Sequence, residues 1–191
     1  IILLIINGYF YILFTIICHR LFLEKKVTTG LIETLKWNKT STNFLLTSFA
    51  LGISMAVAIT PIFFISLAIM DNIDSNQFIV TSITMVPIVY LFARLSLILP
   101  ATAIDQDSSW SSAWNISKGN GWNLCFLVSI FPLLTGFVID SISSTSIFVK
   151  PLTSMLSIVV LIYEISILSN SYKELRIKNK TTQQGAVGGL A

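Results

Sequence analysis

Charged residues are scarce in this 191-residue sequence: Asp, Glu, Lys and Arg make up 11% of it, while 54% is hydrophobic. An average soluble domain carries about 25% charged residues. The few charges are clumped between long apolar runs, which excludes a disordered chain, a nucleic-acid-binding domain and an ordinary soluble enzyme. The net charge of +3 is too small, and too confined to the connections, to change that. Cysteine is nearly absent. Cys18 and Cys125 lie in or at the rim of apolar runs with no CxxC partner, so they are read as small buried hydrophobes and not as a disulfide framework or zinc site. Histidine occurs once, at His19, and no Ser-His or Cys-His arrangement that activates a nucleophile can be assembled around it. A metal site would need further ligands, and Glu24 alone is not enough. HExxH, a Gly-rich phosphate loop and a dinucleotide fingerprint are all missing. No aspartate cluster suggests a two-metal lipid transferase. Intramembrane aspartyl chemistry wants two acids, yet only Glu164 lies well inside an apolar run, with Asp140 at an edge. These absences leave no catalytic constellation and no cofactor or metal site.

What is present is a series of apolar segments. A helix needs about 20 apolar residues to cross roughly 30 Å of hydrocarbon. Five segments meet or approach that length: 1–18, 43–70, 77–99, 122–139 and 151–168, the last continuing as helix to about Ile177. All must be helices, because a lone strand leaves its backbone unsatisfied in lipid. The expected fold is an all-α polytopic transmembrane bundle, a single domain over residues 1–177. A flexible tail is expected over 178–191, where Gly185, Gly188 and Gly189 break any apolar period; it reads equally as native or as an added remnant. The sequence opens Ile1-Ile2-Leu3-Leu4 without methionine, and His19 and Arg20 follow the apolar core instead of preceding it, unlike a secretory signal. The expectation is a first span whose beginning lies upstream.

The connections alternate in charge. Residues 19–42 carry Arg20, Lys25, Lys26, Lys36 and Lys39; the region 94–121 carries Arg94 and Lys118; the tail carries Lys173, Arg176, Lys178 and Lys180. By contrast 71–76 carries Asp71 and Asp74 without a cation, and 140–150 carries only Lys150. Eleven of the twelve cations thus fall on alternate connections. The positive-inside rule then puts 19–42, 100–121 and the C-terminus in the cytoplasm of a cell with an inner membrane. The Asn-x-Ser/Thr matches at Asn38, Asn115 and Asn179 all fall on that side and are chance occurrences.

Residues 105–118 are too polar to span. Asp105 or Asp107 can cap a short helix, and Gly119 and Gly121 can end it. On a helical wheel Trp110, Ala113, Trp114 and Ser117 share one face, and Ser108, Ser111, Ser112 and Asn115 the other. Two tryptophans at i, i+4 place this helix in the headgroup layer; the alternative is a plug under the bundle. His19, Arg20, Trp110, Trp114 and Trp122 are the expected interfacial anchors. In the second span Ser48, Gly52, Ala56 and Thr60 recur every four residues, a small-residue stripe that lets a second helix approach closely. An internal seam is the first reading of it and a dimer interface the second. Pro61, Pro87 and Pro132 fall in three different spans and are expected to bend them. No internal repeat relates spans two and three to four and five.

Charges at membrane depth face the bundle interior with a partner. Arg94 and Glu164 lie at similar depth from the cytoplasmic ends of the third and fifth spans, which suggests a buried ion pair. Ser154, Ser157, Glu164 and Ser171 share one face of the fifth span, which should look inward. The alternatives are a helix-orienting staple, an arginine that snorkels alone, and a proton or substrate relay. A pair predicts that Glu164→Leu destabilises far more than the double change with Arg94→Leu.

The stretch Arg94-Leu-Ser-Leu-Ile-Leu-Pro-Ala101, followed by Ala113-Trp114-Asn-Ile-Ser117-Lys118-Gly119-Asn120-Gly121-Trp122, resembles a group of bacterial multi-pass proteins. The group includes the membrane domain fused to some glycerophosphoryl diester phosphodiesterases, and stand-alone relatives of uncharacterised function. Cys18-His19-Arg20 with Leu21-Phe22-Leu23-Glu24 is similar to the WHR…L.GE stretch of the stand-alone members, with Cys18 in place of Trp and Lys25 in place of Gly. The resemblance implies about six spans, preceded by an amphipathic segment. It does not imply phosphodiesterase activity, because the soluble catalytic barrel is not in this chain, and no catalytic residue carries over.

Two functions are expected in order. The first is a non-enzymatic structural or accessory subunit of the envelope or of a larger membrane assembly, whose partners are membrane lipids, other membrane subunits or a second copy, and not nucleic acid. The second is a small transporter or permease with a polar site near Arg94 and Glu164. A lipid-directed enzyme comes third.

Overall fold

Apolar runs without prolines or glycine clusters become continuous helices in lipid, where the backbone has no other hydrogen-bonding partner. The computed structural model describes residues 2–23, 36–72, 77–143 and 150–188, and no strand occurs among them. The helices are α1 (Ile2–Leu23), α2 (Lys39–Asn72), α3 (Gln77–Leu95), α4 (Ile98–Ala103), α5 (Trp110–Ile116), α6 (Gly121–Leu124), α7 (Phe131–Ser143) and α8 (Lys150–Gly188). A six-residue π-helical stretch, Cys125–Ile130, joins α6 to α7 into one rod. Among the described residues five stretches are long and apolar enough to cross a membrane: Ile6–Leu23, Lys39–Ile65, Met85–Ala103, Gly121–Ile142 and Lys150–Asn179. The protein is an all-α, multi-pass membrane bundle. Outward-facing Phe10, Phe49, Val57, Leu133, Phe137 and Met155 are all more than half exposed, an apolar surface far too extensive for water and suited to lipid.

The core sits at one end. Ala93, Leu97, Ile98, Ala101, Ala113, Leu124, Cys125, Leu168 and Tyr172 pack into a single cluster, and Ile16, Phe44 and Ala103 form a second beside it. Both are organised by α4, whose Ile98, Pro100, Ala101, Thr102 and Ala103 are buried. Pro100 explains this placement. Its ring lacks an N–H and collides with the carbonyl four residues back, which belongs to Ser96. The helix therefore breaks at Ser96–Leu97, where Leu99 N–H bonds to the Ser96 carbonyl at 3.0 Å in a tighter turn. The third span was expected to run 77–99; instead α3 ends at Leu95 and, after a break of two residues, the chain continues as α4 to Ala103, packed among α1, α2 and α8.

The ends of α1, α3, α4 and α5, the start of α2, and α8 from Ser169 onward meet at this end through side-chain hydrogen bonds. These are the connections whose cations the sequence assigns to one face. We call it the charged end. Residues 24–35, 73–76 and 144–149 lie outside the described residues.

Two boundaries differ from expectation. α1 continues to Leu23, so His19 and Arg20 lie within it and not after it. α8 runs to Gly188, well into the stretch expected to be a flexible tail from 178. From Lys178 to Gln184 there is neither Gly nor Pro, and an existing helix adds a hydrogen bond for each further residue it fixes. At 1.5 Å per residue, roughly 20 residues of α8 cross 30 Å of hydrocarbon, so the helix leaves the apolar layer near Leu168 and projects beyond it. Ahead of Pro132, the wide π turn takes the Phe131 N–H to the carbonyl of Phe126, five residues back.

Candidate functional site

The polar side chains of the charged end form three local networks, each joining segments far apart in sequence. The first is built on Arg94, one residue before α3 ends. Its Nε donates to Ser117 Oγ at 2.8 Å and a terminal nitrogen donates to the Trp114 carbonyl at 2.7 Å. Ser117 Oγ itself donates a hydrogen bond to the same carbonyl at 3.0 Å. The guanidinium carbon lies 3.4 Å from the centre of the Trp114 ring and 5.7 Å from that of Tyr90, a stacking geometry that suits its planar charge. Arg94 therefore fastens α5 onto α3. No ion pair joins it to Glu164, which is half-buried and makes no hydrogen bond among the described residues. The expected Arg94–Glu164 pair is not formed.

The second network is built on Arg20. Its Nε donates to the Ala103 carbonyl at 2.8 Å, and its terminal nitrogen approaches Asp105 Oδ2 at 3.1 Å and Thr40 Oγ1 at 3.4 Å. Thr40 Oγ1 donates to the same carboxylate, 2.8 Å from Oδ1 and 3.0 Å from Oδ2. Asp105 does not cap a following helix, as its position suggested. It closes α4: Gln106 N–H bonds to the Ala101 carbonyl and Asp105 N–H to that of Thr102, the paired bonds of a Schellman ending. The residue after such a cap adopts left-handed φ and is usually glycine; here it is Asp105, at φ 54°. The carboxylate holding Arg20 and Thr40 explains why an aspartate sits there. Asp105→Ala should therefore cost about 1 kcal/mol more than Asp105→Gly, because glycine loses the same contacts but none of the backbone comfort. Equal melting temperatures for the two variants in mild detergent would contradict this.

His19 carries the third network. It was expected as an interfacial anchor but is 1% exposed, against a fully buried Ser169 on α8. Its Nδ1 lies 2.7 Å from Ser169 Oγ, which donates its single proton to the Ile165 carbonyl at 2.7 Å. That leaves Nδ1 as the donor. The imidazole so arranged holds α1 to α8, and cannot take a proton from Ser169 through that nitrogen.

Around these networks, α5 begins with Ser109, whose side chain accepts from Ser112 N–H at 3.2 Å, while Asp107 Oδ1 accepts from Ser109 N–H at 3.1 Å. Trp110, Trp114 and Trp122 are exposed at 40%, 41% and 65% on the outside of the charged end. On α8 the buried face is Thr153, Ile165, Leu168, Ser169 and Tyr172. The expected inward stripe is turned away from it: Ser154 and Ser157 are exposed, and Glu164 and Ser171 only half-buried.

Away from the charged end, the small-residue stripe of α2 is not an internal seam. Gly52, Ala56 and Thr60 are exposed and Ser48 half-buried. Ser48, Gly52 and Ala56 line an open apolar groove of about 500 Å³ between α1 and α2, with Gly8, Tyr11 and Ile12 opposite.

Ser169, Ser117, Thr40 and the Ala103 carbonyl were not singled out by sequence reasoning as partners. The one available signal was Ser169 itself, a small polar residue in the apolar row Ile165, Leu168, Tyr172. Among the described residues no group of three or more His, Cys, Asp or Glu could hold a metal ion. Comparison with protein-family models, curated proteins and solved structures finds no match to this chain.

Proposed function

We propose that this protein is a non-enzymatic subunit of a larger membrane assembly, and that a membrane-spanning helix of another subunit seats in the α1–α2 groove. The observation that supports it is the exposure of Gly8, Gly52 and Ala56, with Ser48 half-buried, along one open apolar furrow. Close backbone approach over small residues is how helices associate in lipid, where no hydrophobic drive exists between them. The rigid, hydrogen-bonded charged end supports a scaffolding role. The cation distribution supports an inner membrane with the projecting end of α8 in the cytoplasm. The resemblance to the bacterial membrane-domain group rests on the stretches 18–24, 94–101 and 113–122 of the sequence, and kinship with that group is part of this proposal.

A permease centred on Arg94 and Glu164 has less support, because Arg94 spends its donors on Ser117 and Trp114.

The groove can be tested with Gly52→Leu. A Cβ built there meets nothing within 4 Å and the position is exposed, so folding should be unchanged within about 0.5 kcal/mol. Membrane proteins that co-purify with the parent in mild detergent should be lost from the variant. Self-crosslinking through the groove would identify a second copy as the occupant instead. A parent that is monomeric and free of companions would remove the proposal.

A further inference from the structure

The projecting part of α8 and the 104–120 connection enclose a polar trough that none of the networks above uses. It consists of three adjoining depressions. Asn115, Ile116 and Asn179 are shared by the first two, and Arg176 by the second and third. The middle one has a volume of about 350 Å³, within the range of small-ligand sites. One wall is the serine face of α5, with Ser109, Ser111, Ser112 and Asn115; this is the face opposite the tryptophans on the helical wheel. The other wall is α8.

The charge of this trough is one-sided. Lys118, Lys173, Arg176 and Lys178 line it, against a single carboxylate, Asp107, among the described lining residues. The side chains of Lys118 and Arg176 make no hydrogen bond or ion pair among the described residues. Asp107 has one oxygen engaged with Ser109 N–H, which draws part of its acceptor capacity away from the cations. Lys118 and Arg176, both without such a partner, stand beside walls rich in hydroxyl and amide donors, where an anion offsets the mutual repulsion of like charges.

We propose that this trough binds a phosphate-bearing anion. Arg176 sits where two depressions meet, and its planar fork suits two oxygens of one phosphate. Lys118, which lines the adjoining depression, adds a point charge, and Asn115 and Asn179, shared by both depressions, supply amide donors to the remaining oxygens. The height of the trough favours a headgroup source: Tyr172, at its inner edge, is 22 residues along α8 from Lys150, or roughly 33 Å at 1.5 Å per residue, which matches the apolar thickness of a bilayer. Basic recesses at that level bind acidic lipid headgroups.

The test uses the full chain in neutral detergent, with thermal unfolding and direct binding as readouts. The probes are phosphatidylglycerol, phosphatidylcholine and inorganic phosphate, at matched ionic strength. Stabilisation by phosphatidylglycerol but not phosphatidylcholine is expected. Stabilisation by inorganic phosphate alone would assign the site to a soluble phosphoester and keep the proposal. The double variant Lys118→Gln/Arg176→Gln should bind the effective probe about tenfold or more weakly, whereas Lys39→Gln/Lys150→Gln, with the same charge loss elsewhere, should bind like the parent. Should the first pair fail to fold, Ser111→Asp places a carboxylate on the exposed wall of the trough and should weaken binding to a similar degree. The proposal is overturned if neither anion binds better than phosphatidylcholine, if the distant pair loses as much as the trough pair, or if Ser111→Asp leaves binding unchanged.

Discussion

Arg94→Ala should lower stability by on the order of 3 kcal/mol, from two hydrogen bonds of a charged donor and a desolvated cation–π contact, less the recovered cost of burying the guanidinium. For a chain of this size that is roughly 10 °C in melting temperature. Glu164→Gln should stay within about 0.5 kcal/mol of the parent, because the carboxylate has no partner to lose among the described residues. Two cycles separate the alternatives. Arg94→Ala combined with Ser117→Ala should fall short of additivity by about 1 kcal/mol or more, while Arg94→Ala combined with Glu164→Gln should be additive within about 0.5 kcal/mol. Arg94→Lys should recover only part of the loss, since an ammonium can reach one acceptor but has no plane to lay on Trp114. Strong coupling between positions 94 and 164 would restore the ion pair and undo the present account of the charged end.

The reason that pair was inferred, and is not formed, shows what a sequence can disclose about a bundle. Depth is legible: counting residues from a span's end places Arg94 and Glu164 at similar heights. Azimuth is not, because each residue turns the helix by about 100° and the rotation of one helix against another is decided by packing. Arg94 meets Ser117 and the Trp114 carbonyl because α3 ends at Leu95 and the chain returns within some twenty residues, so the nearer partners are also the ones that cost least loop entropy. His19 and Ser169 stand 150 positions apart, and no local period could link them. The end of the third span near residue 99 was legible, but the continuation as α4 was not, since it depended on the small side chains of Ala101 and Ala103 being buried among α1, α2 and α8. The apolar runs and the alternation of cations were legible throughout, because both are requirements of the bilayer and not of any particular neighbour. The stripe Ser48, Gly52, Ala56, Thr60 was legible as an approach surface. Whether this chain or another supplies the approaching helix is a question of stoichiometry that spacing does not encode.

Gly121 sets the distance between α3 and the rod that begins with α6, and replacing it should have the second large effect. It is buried, and a Cβ built on it would lie 2.8 Å from Tyr90 Cζ and 2.9 Å from Cε2, closer than side chains tolerate. The phenol ring has little room to yield. Trp122 packs against it at a tilt of 49°, with centroids 5.0 Å apart, and the Arg94 guanidinium carbon lies 5.7 Å from the ring centre. Gly121→Ala should therefore destabilise by about 2 kcal/mol, as overpacking of a filled interior does, and lower the melting temperature by roughly 5 °C. Gly121→Val should cost more, because two further methyl groups enter the same space. Tyr90→Phe should not rescue Gly121→Ala, since ring carbons as well as the hydroxyl block the site. Tyr90→Leu should rescue it, making the double variant more stable than Gly121→Ala alone. A Gly121→Ala protein that melts with the parent would mean that α6 can move away from α3 without loss, and the close approach of these two helices would then carry no weight in holding the charged end together.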